Sequence, residues 1–316
     1  MHCRIKDMET FLHLVETSSF DILSAVRHLV LTYDSEASLT QAHLLRFAPC
    51  SRLTTLDITL PWNLSGQPTP MALVPIHVQL TMVGPKFSAL TNFSFEFDKC
   101  TLRGLLDVLA CIPTIQTLSL KGSAIETIEP SALVPSLPQH LRSLHLNIMV
   151  GAGLFCTHLL SLPVVPQLRS LWSLEFHCGM HADHWILFAA HRPWAADPAA
   201  HDLGYNIWYS FAQQGLQYCT DIRHLTLCLV HKYGNMPASL LTNLLPAPAS
   251  NNLRSIKIVL LDELSTAEAE ALDQTLALPA LGNLRSFSCE SLESQSLLTP
   301  EIRVQMLRAS ARGILE

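Results

Sequence analysis

The chain has 316 residues, of which 49% are hydrophobic and only 15% are charged, and its formal charge is −6 at pH 7. This composition is too apolar for an intrinsically disordered protein, so we expect a folded chain with a large core. The acidic balance provides no general attraction to a phosphate backbone, which argues against nucleic acid as a partner.

The cysteines and the first residues of the chain indicate the cellular compartment. Nine cysteines are scattered along the chain without a CxxC pair, a pattern typical of reduced, buried thiols, and we therefore expect a cytoplasmic or nuclear protein. The opening MHCRIKDMETFLHLVE carries charges where a signal peptide needs an apolar run. No apolar stretch approaches the roughly 18 residues of a membrane-spanning helix, so no membrane partner is expected.

The first predicted element is an amphipathic helix in METFLHLVETS, within an N-terminal capping region over residues 1–25. The pattern LxxLxL then recurs, and its alternation of apolar and polar residues predicts a short strand with one buried face in each copy. The nine copies are VRHLVL (26–31), LTTLDI (53–58), LTNFSF (90–95), IQTLSL (115–120), LRSLHL (141–146), LWSLEF (171–176), IRHLTL (222–227), LRSIKI (253–258) and LRSFSC (284–289).

Helical patterns separate these strands. The predicted helical stretches are 39–50, 100–113, 131–140, 153–163, 236–246 and 265–279. Several of them end at proline, and Ser265 followed by Glu268 predicts a capping box. One strand and one helix cannot close a core alone, whereas stacked copies can. The predicted fold is therefore an α/β leucine-rich-repeat solenoid over 26–298, a horseshoe of about nine irregular repeats with a parallel concave β-sheet and convex helices.

The last segment predicts a C-terminal capping helix over residues 299–316. Thr299 is suited to the N-cap, Pro300 to the first turn and Glu301 to the helix N-terminus. Such caps shield the core that a terminal repeat would otherwise expose.

The opening DMETFLHLVETSSFDILSAVRHLVL, followed by irregular LxxLxL copies with LRSL variants, resembles the leucine-rich-repeat part of fungal F-box proteins. The resemblance implies the substrate-recognition part of an F-box ubiquitin-ligase subunit. No F-box pattern precedes Met8, so binding to the Skp1-type adaptor of a cullin ligase is expected only if an F-box lies upstream of this sequence. A structural or adaptor scaffold unrelated to ubiquitin is the alternative.

A partner protein or peptide is expected on the concave face, where side chains between the buried apolar positions project. This surface is polar and lacks a basic stripe. The predicted partner-binding residues are Asp57, Thr59, Ser94, Glu96, Ser119, Lys121, His145, Asn147, Glu175, His177, Thr226 and Lys257.

The largest irregularity is an aromatic and histidine-rich excursion over 178–221, which contains Trp185, Trp194 and Trp208. Long insertions in a repeat array are often functional, so these tryptophans are weaker candidates for partner contact. A small satellite core is the other interpretation of the same aromatics.

Within 177–191, Cys178, His181 and His184 include ligand types that zinc accepts, and they are weak candidates for a metal site. On a helix their spacing of three would splay the ligands around the surface, so polar histidines without metal are the expected state. A hydrolytic site in this segment is a remote alternative. The chain contains no GxSxG, HExxH or phosphate-loop motif, so we expect neither an enzyme nor a cofactor.

Overall fold

The computed structural model describes residues 2–5, 8–32, 46–47, 49–59, 80–81, 87–126, 137–150, 171, 173–178, 221–229, 252–260, 264–291 and 296–316. The chain divides into two compact units, Met1–Leu141 and Arg142–Glu316, here called unit 1 and unit 2.

Unit 1 contains a parallel sheet of five described strands, which lie side by side in chain order. They are β1 (His2–Ile5), β2 (His28–Thr32), β3 (Thr55–Thr59), β4 (Asn92–Thr101) and β5 (Thr117–Glu126). The register aligns the second apolar position of each motif, so Leu29, Leu56, Phe93 and Leu118 are neighbours on adjacent strands. All four are buried, and they form one row of the core.

Unit 2 repeats this arrangement with five further parallel strands in chain order. They are β6 (Ser143–Val150), β7 (Ser173–Cys178), β8 (His224–Leu229), β9 (Ser255–Leu260) and β10 (Ser286–Ser291). The aligned positions here are Leu144, Leu174, Leu225, Ile256 and Phe287. Each predicted motif therefore contains a strand, which begins at the third residue of the motif.

Strand β1 was not predicted. Its sequence, HCRI, is only four residues long and lacks the flanking apolar positions of the motif. It nevertheless pairs with β2, with His2 opposite His28. Parallel pairing to an existing strand supplies the hydrogen bonds that the short segment could not form alone.

Helices connect neighbouring strands where the structure describes the connection. α1 (Met8–Thr17) and α2 (Ile22–Ala25) lie between β1 and β2, and α3 (Leu102–Cys111) lies between β4 and β5. α4 (Thr266–Leu276) lies between β9 and β10 and is followed by a 3₁₀ turn at Pro279–Leu281. Parallel strands require such crossovers, so the α/β class predicted from the sequence is confirmed within each unit.

Two predicted helices between strands, 100–113 and 265–279, are described as α3 and α4, although residues 100 and 101 belong to β4, and the short α2 was not predicted. The Thr101 hydroxyl accepts the N–H of Gly104 at 3.0 Å and so caps α3. Ser265 and Glu268 form the predicted capping box at the start of α4. Of the other predicted helices, 153–163 and 236–246 lie outside the described residues, and 39–50 and 131–140 are described only in small part.

The C-terminal segment forms two short helices, α5 (Pro300–Gln305) and α6 (Leu307–Ala311), where the sequence suggests one. Thr299 caps α5 as expected, but Met306 has φ −104° and ψ 51° and ends it. A new helix begins because the buried Asp273 accepts the N–H groups of Arg308 and Ala309 at 3.2 and 2.8 Å. Among the described helices, none is long and apolar enough to cross a membrane.

Candidate interaction surface

The two faces of the strands differ in burial. In β3 and β9 buried residues alternate with half-exposed ones, as expected when one face of a strand packs on a core. We call the half-exposed positions of the strands the polar face. Among the predicted partner-binding residues on it whose side chains are described, Lys121 is exposed and the others are half-exposed.

In unit 1 the register arranges the polar face in rows. Asp57, Ser94 and Ser119 are directly opposite one another on β3, β4 and β5. The next row, two residues further along each strand, contains Thr59, Glu96 and Lys121. The six residues predicted from alternation in unit 1 are therefore brought together on three adjacent strands.

An ion pair and a histidine–aspartate contact join side chains of this region. The Lys121 Nζ atom lies 3.1 Å from the Glu96 Oε1 atom on the neighbouring strand. The His28 Nε2 atom lies 2.7 Å from the Asp57 Oδ2 atom, within hydrogen-bond distance, so a predicted site residue contacts a histidine on the neighbouring strand. His28 was not among the predicted site residues, although the same alternation around Leu29 would have included it.

In unit 2, His145, Glu175, Thr226 and Lys257 share one row, and Asn147 and His177 share the next. Only the backbone of Glu175 and His177 is described. The Ser143 hydroxyl lies 2.8 Å from the Nε2 atom of His145, and the Lys257 Nζ atom lies 2.8 Å from the Glu290 Oε2 atom. The polar face of unit 2 thus also carries a lysine–glutamate pair across adjacent strands.

Two cysteine thiols with described surroundings are poorly suited to nucleophilic chemistry. Burial, together with Glu268 and Glu290, raises the pKa of the Cys289 thiol to about 12. Burial and the nearby Asp107 also raise the pKa of the Cys111 thiol. Since the thiolate is the reactive form, both groups are held in the less reactive state at neutral pH.

The remaining predicted site residues lie in the least described part of the chain. Cys178 is the last residue of β7, and its side chain is not described. His181, His184, Trp185, Trp194 and Trp208 lie outside the described residues. Among the side chains that the structure does describe, no three histidine, cysteine, aspartate or glutamate residues are grouped so that they could hold a metal ion.

Comparison with protein-family models gives no match, and comparison with curated proteins gives no significant match.

Proposed function

We propose that the chain is a protein–protein interaction module, built as a leucine-rich-repeat solenoid, that binds a protein or peptide partner on its polar face. In this proposal it acts in the cytoplasm or nucleus without a cofactor and without catalysis. Its role resembles that of the substrate-recognition part of an F-box ubiquitin-ligase subunit.

The in-register strands carry this proposal. Within each unit the motif strands align position by position, and the described side chains at the two apolar positions of LxL are buried, whereas the polar ones between and beside them are half-exposed or exposed. A strand and helix that cannot bury a core alone become stable by stacking on an equivalent pair, which is the physical basis of a solenoid. The stacking leaves a regular polar surface whose residues can vary without disturbing the core.

The chemistry of the polar face favours a protein partner. Unit 1 presents Asp57, Glu96 and Lys121 among serine and threonine hydroxyls, a mixture of both charges with hydrogen-bond donors and acceptors. Nucleic acid would require a predominantly basic surface, whereas the whole chain has a formal charge of −6. Support for protein binding comes from this surface, while the link to ubiquitin ligation rests on the resemblance in sequence.

Site-specific photocrosslinking tests the proposal. A benzoylphenylalanine placed at Ser94 or Ser119 in unit 1, or at Ser288 in unit 2, samples the polar face of each unit separately. Matched probes at Ala110 on α3 and Gln274 on α4 sample exposed helix positions in the same units. We expect a discrete crosslinked protein from at least one polar-face probe and only background from the helix probes.

The captured partner then permits a quantitative test. Ser119→Arg introduces a long charged side chain into the middle of the polar face, and Ala110→Arg introduces the same side chain on a helix. We expect the first variant to weaken partner binding by about tenfold or more and the second to leave it unchanged. Equal crosslinking from the helix probes, or equal loss in both arginine variants, would place the binding surface elsewhere.

A further inference from the structure

The exposed large apolar side chains of the described residues are confined to two regions, near the two ends of the chain. Each is between 39% and 80% exposed, and they are Leu14 and Phe20 in unit 1 and Leu278, Val304 and Leu307 in unit 2. Between residues 26 and 264, no large hydrophobic side chain that the structure describes is exposed. Single exposed apolar residues are common, but their confinement to two regions indicates contact surfaces. We call these two groups the unit 1 patch and the unit 2 patch.

Hydrogen bonds hold the unit 1 patch at the end of α1. The Leu14 carbonyl oxygen accepts the N–H of Ser18 at 3.0 Å, and the Ser18 hydroxyl accepts the N–H of Phe20 at 3.1 Å. These two bonds tie the backbone of Phe20 to the last turn of α1, which carries Leu14. Leu12, on the opposite side of the helix, is buried. The core side of α1 is therefore packed, while the patch faces outward.

The unit 2 patch is built on α4 and the two C-terminal helices, which contact one another. Val304 and Leu307 are three residues apart, on either side of the bend at Met306. The Arg312 guanidinium donates to carbonyl oxygens on both sides of Leu278 in the chain, at 2.5 and 2.8 Å. The three apolar side chains therefore belong to one packed group of helices.

Acidic residues surround the unit 1 patch. Residues 8–25 include three acidic side chains and no lysine or arginine. Asp21 is exposed next to Phe20. Glu16 is exposed on α1, where it also pairs with Arg46. The apolar side chains of this patch thus lie in a segment of negative charge.

Arginines surround the unit 2 patch. Residues 302–315 include three arginines and no carboxylate, and Glu301 and Glu316 border this segment. Arg308 is exposed next to Leu307. Because unlike charges favour contact and like charges oppose it, the two patches are better matched to each other than to themselves.

We propose that the unit 2 patch of one copy of the chain docks on the unit 1 patch of a second copy. The apolar side chains of the two patches pack together, with arginines of one copy beside carboxylates of the other. Such a contact joins two different surfaces, so each dimer keeps one unused patch of each kind and can add further copies. This inference goes beyond the proposed function because neither patch contains a residue of the polar face.

Strand pairing is a poorer way to join copies at the C-terminal end of unit 2. The outer edge of β10 is already bonded to residues of its own chain. The N–H of Phe287 donates to the Ile314 carbonyl oxygen at 2.7 Å, and the Phe287 carbonyl oxygen accepts the N–H of Glu316 at 3.0 Å. The Cys289 carbonyl oxygen accepts the N–H of Leu297 at 2.8 Å. A covered edge does not template another strand, which leaves side-chain surfaces for the contact.

Sedimentation velocity of the full chain between about 1 and 200 µM tests the proposal. We expect the weight-average sedimentation coefficient to rise over this range, because a small patch of apolar side chains gives a weak contact. Val304→Ser with Leu307→Ser, the unit 2 variant, should weaken association by about tenfold or more. Leu14→Ser with Phe20→Ser, the unit 1 variant, should have the same effect. All four side chains are exposed, so the substitutions leave the core intact.

Mixing the two variants tests whether unlike patches meet. The unit 1 variant keeps an intact unit 2 patch, and the unit 2 variant keeps an intact unit 1 patch. Each variant alone should remain monomeric to a concentration about tenfold higher than the unsubstituted chain. An equimolar mixture restores one contact, so it should form dimers and nothing larger.

Two single variants serve as control and charge test. Ala110→Ser exchanges an exposed apolar residue of α3 outside both patches, and association should stay within about twofold of the unsubstituted chain. Arg308→Glu places a carboxylate in the unit 2 patch and should weaken association by about threefold or more. Circular dichroism of every variant establishes that the fold is retained.

Several outcomes would overturn the assignment. A chain that stays monomeric at about 200 µM would remove the proposed occupant of both patches. Association that is lost in only one of the two serine variants would mean that a single patch meets its own copy. Association that persists in both variants, or a mixture that forms no dimers, would place the contact elsewhere.

Discussion

The same motif position is filled very differently in the two units. Phe95 ends the motif LTNFSF in unit 1 and Cys289 ends LRSFSC in unit 2, yet both side chains have 0% exposure. Phe95 contacts two other buried rings, with centroid distances of 6.1 Å to Phe93 and 5.1 Å to Phe97. The motif therefore specifies which face is buried, while the volume at each position is matched locally.

Unit 1 makes room for its rings through a glycine. Gly122 on β5 is directly opposite Phe97 on β4, and a Cβ atom built at Gly122 would lie 2.3 Å from the Phe97 ring. Unit 2 instead depends on polar contacts at its C-terminal end. There the Arg312 guanidinium donates to the carbonyl oxygens of Leu276, at the end of α4, and of Leu281, in the 3₁₀ turn that follows it. These hydrogen bonds are part of the packing of the last helices on α4.

The largest expected difference between the units concerns thiol reactivity. With a pKa of about 12 instead of its ordinary value of 9.0, Cys289 has a thiolate fraction at pH 8 about a thousandfold below that of an unstructured cysteine. We expect iodoacetamide to label Cys289 at least that much more slowly than a cysteine peptide. Cys111 of unit 1 is half-exposed, so it should react faster than Cys289 but more slowly than the peptide.

Peptide mass spectrometry of the native protein measures both rates, and labelling in urea is the control. The sign of the pH effect on stability also follows. Above pH 9 the unfolded chain releases the Cys289 proton before the folded chain does, so this thiol's contribution is lost as pH rises from about 9 to 12. Labelling of native Cys289 as fast as Cys111 would contradict the buried, protonated state.

Truncating the side chains at the two equivalent core positions should lower the free energy of unfolding by different amounts. Phe95→Ala removes a buried ring and is expected to lower the free energy of unfolding by about 3–5 kcal/mol. Cys289→Ala removes a single sulfur atom and should cost only about 1 kcal/mol. Urea unfolding followed by circular dichroism measures both values. Equal losses of stability would mean that the size of the side chain at this motif position does not matter to the core.

The next effect concerns the C-terminal contact in unit 2. Asp273→Ala leaves two backbone N–H groups of α6 without their acceptor, and we expect a loss of about 2–3 kcal/mol because these bonds involve a buried charged group. Faster hydrogen exchange at the Ala309 amide should accompany this loss. Asp273→Asn retains an acceptor and should cost less.

The matched control lies in unit 1. Asp107→Ala removes an equally charged residue whose partner, Arg103, is on the same helix surface, so we expect a change of about 0.5 kcal/mol or less. If both alanine variants lost the same stability, the contact between Asp273 and α6 would not hold the C-terminal segment.

Adding volume in unit 1 gives a smaller change. Gly122→Ala forces its new methyl group against the Phe97 ring and should cost about 1–3 kcal/mol. Combining it with Phe97→Leu removes the clashing ring atoms, so the loss in the double variant should be smaller than the sum of the single losses. Urea unfolding of all three variants tests this, and strict additivity would show that the two residues do not share one space.

The sequence predicts the features of this fold that depend on local pattern. Alternation places a strand in every LxxLxL copy, and Ser265 with Glu268 identifies a helix start, because both signals arise from residues within one turn or strand. Strand β1 was missed because HCRI forms only through pairing with β2. The contact from Asp273 to Ala309 joins residues 36 positions apart, and no local pattern reports such a distance.

The candidate surface shows the same division between features that a local pattern predicts and contacts that it does not. Alternation predicts that Asp57, Glu96 and Lys121 share one face, because side chains two residues apart lie on the same side of a strand. Alternation does not predict which side chains on this face contact each other. His28 reaches Asp57 diagonally, whereas Glu96 and Lys121 are directly opposite, and that choice depends on side-chain conformations across strands.

The smallest expected effect compares the ion pairs of the two polar faces. Glu96–Lys121 in unit 1 and Lys257–Glu290 in unit 2 have N···O distances of 3.1 and 2.8 Å, and their lysine side chains are 46% and 39% exposed. Pairs this exposed contribute about 0.2–1 kcal/mol, and salt screens them. We expect double-mutant cycles with Lys→Met and Glu→Gln to give couplings in this range that shrink at high salt. Such weak pairs can exchange partners readily, so a bound protein could replace either one without destabilising the sheet. A coupling well above this range in either unit would instead make that pair part of the fold.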